Sequence, residues 1–163
     1  MVKIKVIVVG KTREGWIKEG ILHYQKLLKK YVELNLVEIR EEKITKSRDT
    51  EIILDAEAKR ILRYVNKSSH VDPSDLRIAL DAKGKSLSSE DFARLLEENL
   101  SRGYSEFVFI LGGALGLSLR VLDACPIKLS LSQMTFTHEM SRLILLEQIY
   151  RAFSILKGTG YHK

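Results

Sequence analysis

Apolar residues at Val2, Ile4 and Val6 to Val9 open the chain as a strand ending at Gly10, after which the hydrophobic period changes. From Gly15 to Tyr31, the residues Trp16, Ile17, Gly20, Ile21, Tyr24, Leu27, Leu28 and Tyr31 share one helical stripe, with Lys18, Lys26, Lys29 and Lys30 on the other side. Val32 to Ile39 returns to a strand pattern. Arg40 to Thr50 is charged and poor in apolar residues, hence a loop, and Leu54, Ala58, Ile61, Leu62 and Val65 then repeat at helical spacing as far as Asn66. Asp72-Pro73 signals a turn into a strand from Leu76 to Asp81, and Gly84 punctuates the loop after it. Ser88 to Asp91 resembles a capping sequence for a helix carrying Phe92, Leu95, Leu96 and Leu100 and closed by Gly103.

Phe107 to Leu111 is apolar on both faces and runs into Gly112 and Gly113, with Gly116 close behind. A short helix separates it from a strand at Ile127 to Leu131, which ends at Ser132-Gln133-Met134-Thr135. Strands and helices therefore alternate throughout, which predicts one α/β domain over residues 1–163 with a mainly parallel sheet and helices on both faces. Ligands of such sheets bind beyond the carboxyl ends of the strands, so the loops after Leu111 and Leu131 are the expected site.

The helix from about His138 to Lys157 is different. Its apolar residues, among them Met140, Leu143, Ile144, Leu145, Leu146, Ile149, Tyr150, Phe153, Ile155 and Leu156, point all round the axis. That implies burial on several sides, and a second copy of the chain is the expected covering partner. Arg142, Glu147, Gln148 and Arg151 on the same helix each require a specific hydrogen-bond partner.

Composition narrows the function. With 45% hydrophobic and 29% charged residues the chain is an ordinary globular domain, and no apolar run is long enough for a membrane span. The N-terminal stretch reads as a strand, not a secretory signal. One cysteine, Cys125, excludes an internal disulfide and suits a reducing cytoplasm. The formal charge of +6 favours an anionic partner, nucleic acid first, although the lysine side of the first helix is expected to be a solvated surface.

Several motifs fail on inspection. Gly84-Lys85-Ser86 lacks the first glycine of a phosphate-binding loop, which falls at Ala79, and Leu111 stands where a dinucleotide fingerprint begins. His138-Glu139 opens like a zinc-protease helix, but Arg142 occupies the second histidine position and no metal site is expected. Ser130 and Ser132 lie in no nucleophile elbow. The glycines at 112, 113 and 116 fit a tight turn as well as a ligand cradle, Arg151 fits a helical ion pair with Glu147, and Tyr161-His162-Lys163 fits a frayed terminus.

Four strings stand together: Phe109 to Leu117 (FILGGALGL), Leu129 to His138 (LSLSQMTFTH), Leu146 to Ala152 (LEQIYRA) and the terminal Tyr161-His162-Lys163. In this order, with Ile4 to Lys11 and Leu80 to Glu90, they resemble the large-subunit ribosomal RNA methyltransferase H family of the SPOUT class. The resemblance implies a C-terminal trefoil knot and a cytoplasmic homodimer. It further implies transfer of a methyl group from S-adenosylmethionine to N3 of a pseudouridine in 23S rRNA, in the large subunit or the assembled ribosome. Donor-binding positions map onto Leu80, Gly112 and the run Leu131, Ser132, Gln133, Met134, Thr135 and Phe136. His138, Arg151, Tyr161 and His162 are the catalytic candidates, with either histidine able to accept the N3 proton and Arg151 placed to stabilise the base anion. The terminal tail is expected to serve the chemistry and not the fold, and Lys163 stands where some relatives carry arginine. A non-catalytic ribosome-binding module with a vestigial pocket is the alternative reading.

Overall fold

A computed structural model describes residues 1–66 and 74–163. Five strands, β1 (Val2–Val9), β2 (Val32–Ile39), β3 (Asp75–Ser86), β4 (Glu106–Leu111) and β5 (Ile127–Ser130), form one sheet in the order β2-β1-β4-β3-β5, with every pairing parallel. The helices are α1 (Gly15–Leu28), α2 (Thr50–Val65), α3 (Ser89–Ser101), α4 (Leu119–Asp123) and α5 (His138–Leu156). The α/β architecture read from the alternation is thus the one observed. The expected turn at Asp72-Pro73 lies outside the described residues. No helix among the described residues is long and apolar enough to cross a membrane.

Side-chain alternation along the strands feeds two cores. Ile4, Val6 and Val8 of β1 join Phe107 and Phe109 of β4 and Ile78 of β3 beneath α1, α3 and α5. Ile7 and Val9 join Val108, Ile110 and Ala79 on the opposite face, under Ala58 and Ile61 of α2 and Val121 of α4. Both faces of the sheet are covered, which is why the central strands read as continuous apolar runs.

The many-sided character of α5 has its explanation within one chain. Sheet, α1 and α3 surround it, and every residue from His138 to Leu156 is buried or half-buried. Leu145 is wholly inaccessible and sits in the chain's own core, so its burial needs no second copy. A charge placed there would unfold the chain before it reported on dimerisation.

Arg142 is the most deeply buried charge among the described residues. Its guanidinium donates to the Val9 carbonyl at 2.6 Å and to Thr12 Oγ1 at 2.9 Å, tying α5 to the end of β1. Burial pushes its pKa down, opposed by the negative charges of Glu139, Glu38 and Glu41.

β3 runs further than expected. Leu80 and Lys85 both align with Leu129 of β5, so residues 81–84 form an irregularity inside the strand, not a loop that ends it. Gly84 is what permits this. A Cβ there would lie 2.7 Å from the Lys128 carbonyl carbon and 2.8 Å from Leu129 backbone atoms, closer than any side chain tolerates.

Two outcomes test these packing assignments. Arg142→Met leaves the buried Val9 carbonyl without its donor and should lower the urea-unfolding free energy by about 1–3 kcal/mol. Cys125 is fully buried and its thiol is pushed up to about 11. The unfolded thiol, near 8.5, ionises first, so the unfolded state holds fewer protons and stability should fall as pH rises from about 8.5 to about 11. Native protein at pH 8 should resist iodoacetamide, and urea-unfolded protein should react at once.

Candidate active site

Three neighbouring strands, β4, β3 and β5, deliver their carboxyl ends to the same edge of the sheet. Leu80, Asp81 and Ala82 come from the start of the irregularity within β3, Leu111 to Ala114 and Gly116 from the end of β4, and Leu131, Ser132 and Met134 to Phe136 follow β5. With Glu14, Thr137, His138, Glu139 and Ser141 they enclose a cleft of about 590 Å³. That volume lies within the range of cofactor sites.

The loops are shaped by their own hydrogen bonds. Ser130 Oγ donates to the Ser132 carbonyl at 2.9 Å, Ser132 Oγ accepts from Met134 N at 3.0 Å, and Thr137 Oγ1 caps α5 by accepting from Met140 N at 3.2 Å. Both serines are therefore structural hinges of the loop. After β4, Gly116 takes a φ of 79° and its N–H bonds the Gly113 carbonyl at 3.1 Å. A Cβ on Gly112 would stand 2.3 Å from Gly116 backbone atoms. Glycine at 112 lets this turn fold on itself, so a bulky residue there would wreck the turn and not simply fill the cleft. The tight-turn and cradle readings of the three glycines are one structure seen from two sides.

The lip of the cleft is acidic. Glu139 Oε1 accepts from the backbone N–H groups of Arg13 and Glu14, the latter at 3.1 Å, which anchors the β1–α1 loop to α5. Burial works to raise the Glu139 pKa, but those two donors, with the charges of Arg142 and His138, bring it below its ordinary value. Asp81 and Glu14 add two further carboxylates. An acidic apolar-walled cleft suits a ligand that carries positive charge.

A second cluster lies at the other end of α5. Arg151 Nε donates to Glu147 Oε1 at 3.0 Å, and Gln148 Nε2 donates to Glu147 Oε2 at 2.7 Å, while Ser89 donates to Gln148 Oε1 at 2.7 Å. His162 Nδ1 is 3.3 Å from Arg151 NH1 and its Nε2 is 2.8 Å from Glu90 Oε1. Because a guanidinium can only donate, Nδ1 is the acceptor and Nε2 carries the proton toward Glu90. Tyr161 donates to Glu147 Oε1 at 3.2 Å and packs edge-on against Tyr150 with ring centroids 4.7 Å apart. Burial first, then its bond with Tyr24 and the charge of Glu147, push the Tyr161 pKa well above the ordinary phenol value. It stays a neutral phenol.

Over residues 2–162 the sequence matches the family described as predicted SPOUT methyltransferases. It is 46% identical to the ribosomal RNA large subunit methyltransferase H of Halothermothrix orenii over 99% of each chain. Identity to the enzyme of the same name from Clostridioides difficile is 45%, over 98% of this chain and 99% of the relative. The chain belongs to the ribosomal RNA large subunit methyltransferase H family. Among solved structures, a probable methyltransferase from Bordetella pertussis superposes with a TM-score of 0.57 at 14% identity, over 92% of this chain and 93% of that one. The SpoU methyltransferase AviRb from Streptomyces viridochromogenes, in complex with AdoMet, gives 0.52 at 12% identity, over 95% and 58%. Those two likenesses are of fold.

Set against the residues expected of this family, the cleft gathers Leu80, Gly112, Leu131, Ser132, Met134, Thr135, Phe136 and His138. Gln133 is exposed and does not line it. Arg151, Tyr161 and His162 stand apart, since the thirteen helical steps from His138 to Arg151 span about 20 Å. Glu14, Asp81, Ala114 and Glu139 line the cleft without having been expected there. Asp81 and Glu139 adjoin expected positions, whereas Glu14 reaches the site only through the packing of α1 against α5 and leaves no local signal.

Ala114 is exposed on the cleft wall and its side chain supports no core contact. Ala114→Trp should therefore fill the cleft without unfolding the chain. Titration calorimetry with S-adenosylmethionine should show donor affinity reduced at least about tenfold, or about 1.4 kcal/mol, at an unchanged melting temperature; full affinity would place the donor elsewhere.

Proposed function

We propose that the protein, as a cytoplasmic homodimer, methylates N3 of a pseudouridine in 23S rRNA of the large ribosomal subunit with S-adenosylmethionine as donor. The observation that carries this is the convergence of the β3, β4 and β5 ends on one acid-lipped cleft in a member of an rRNA methyltransferase family. The AdoMet complex of a protein of similar fold supports the choice of donor. The donor's sulfonium supplies an already activated methyl group.

The residues present fit such a donor. Leu80, the backbone at Gly112 and the run 131–136 would hold it, and Glu14, Asp81 and Glu139 would complement its charge. The protein's remaining tasks are to align the nucleophilic nitrogen and to accept its proton. His138 is the histidine at the cleft in the same chain. Arg151, pulled toward permanent protonation by its bond to Glu147, can stabilise negative charge on the base, and Tyr161 can donate a hydrogen bond but cannot act as the base. The separation of about 20 Å along α5 is why the reading includes a dimer: two α5 helices related by a two-fold axis and running antiparallel would bring one chain's tail to the other's cleft. The knot belongs to the same reading.

The docked contacts of Tyr161 and His162 change what the tail is expected to do for stability. Truncation after Gly160 removes an aromatic pair and should cost about 1 kcal/mol, measured by thermal melting. Single-turnover transfer of radiolabelled methyl groups to saturating ribosomes should fall at least about tenfold, more than 1.4 kcal/mol of transition-state stabilisation. Equal rates in truncated and intact protein would reduce the tail to a packing element, and absence of label at pseudouridine in the intact reaction would refute the proposal.

A further inference from the structure

The irregular stretch of β3 carries a feature that the cleft chemistry does not use. Asp81 and Ala82 line the cleft, and directly beyond them Lys83 and Lys85 are both exposed. Gly84 between them is pressed against the β5 backbone, where even a Cβ would come within 2.7–2.8 Å, so the two lysines sit on a fixed support, not a free loop. Neither ammonium is engaged by a carboxylate among the described residues. Some other exposed cations are paired, Arg13 with Glu41, Lys59 and Arg120 with Asp55, and Arg94 with Asp91, so it is the position of Lys83 and Lys85 beside the cleft that sets them apart.

The placement addresses an electrostatic conflict. A cleft bearing Glu14, Asp81 and Glu139 attracts a cationic donor but repels the phosphates on either side of any nucleotide brought to it. Two unpaired cations adjoining Asp81, anchored through Gly84, offset that repulsion where the strand must enter. From this we infer that Lys83 and Lys85 form a phosphate clamp that positions the RNA strand at the mouth of the donor cleft. The inference rests on the rRNA reading above. A phosphate contact adds affinity without reading sequence, so the clamp sets position and the cleft selects the base. Lys26 and Lys29, on the exposed side of α1, have no such relation to the cleft.

The test is the salt dependence of binding to ribosomes from a strain lacking the modification, measured by filter retention between about 50 and 200 mM KCl. Loss of two phosphate contacts on a single strand should flatten the log–log slope by about 1.4 in the K83Q/K85Q variant. Wild type should then lose about sevenfold more affinity than the variant across that range. K83R/K85R should keep the wild-type slope, K26Q/K29Q should keep it too, and calorimetric donor affinity of K83Q/K85Q should match wild type. An unchanged slope in K83Q/K85Q, an equal flattening in K26Q/K29Q, or lost donor affinity would each overturn the clamp. If wild type methylates no ribosomal RNA, the functional reading falls and the clamp with it; methylation by wild type with indistinguishable slopes overturns the clamp alone.

Discussion

Parallel pairing of β3 with β4 on one side and β5 on the other is the constraint on which the site depends. Parallel strands run in one direction, so the ends of β4 and β5 and the irregular carboxyl half of β3 between them lie at one edge of the sheet, and the segments there must share that space. Nothing in the separate sequences of the three loops requires them to meet. Given the strand order, they cannot avoid it, and the acid lip from Glu14 and Glu139 closes around them because α1 and α5 pack over the same face.

The helix α5 turns this architecture into a device with two ends. Its first turn supplies His138 and Glu139 to the cleft, its middle is held by Arg142 on the Val9 carbonyl, and its last turns organise Glu147, Arg151 and the tail. A helix buried on so many sides can carry polar groups only where each has a partner, and almost every one here does. Charge is divided along the same lines. Carboxylates gather at the cleft, while the chain as a whole is positive by six.

Much of this was legible before any coordinates. Apolar runs and helical repeats placed the strands and the four longer helices, because residues facing a covered sheet or a helix stripe must be apolar whatever they touch. The glycines after β4 and the polar run after β5 marked strand-end loops, and four ordered strings identified the family. Other features were written in contacts between distant residues. Gly84 looked like loop punctuation because a glycine's need for closeness is visible only when the opposing β5 backbone is in place. Glu14 carried no mark of the cleft, since its position depends on two backbone donors meeting Glu139 across 125 residues of chain.

The long helix shows where the boundary lies. Its sequence determined that it would be buried on several sides and that Arg142, Glu147, Gln148 and Arg151 would need partners, because hydrophobicity and unsatisfied hydrogen bonds are properties of the residues themselves. What covers it was decided only by the tertiary structure: α1, α3 and the sheet of the same chain, where the sequence pattern had pointed to a second copy. Likewise the chain ends in residues of the kind that fray, yet Tyr161 and His162 are docked on Tyr150, Arg151 and Glu90. Local pattern specifies that a surface must be covered or a charge satisfied; which partner does so is a question of three-dimensional proximity, and periodicity holds no record of it.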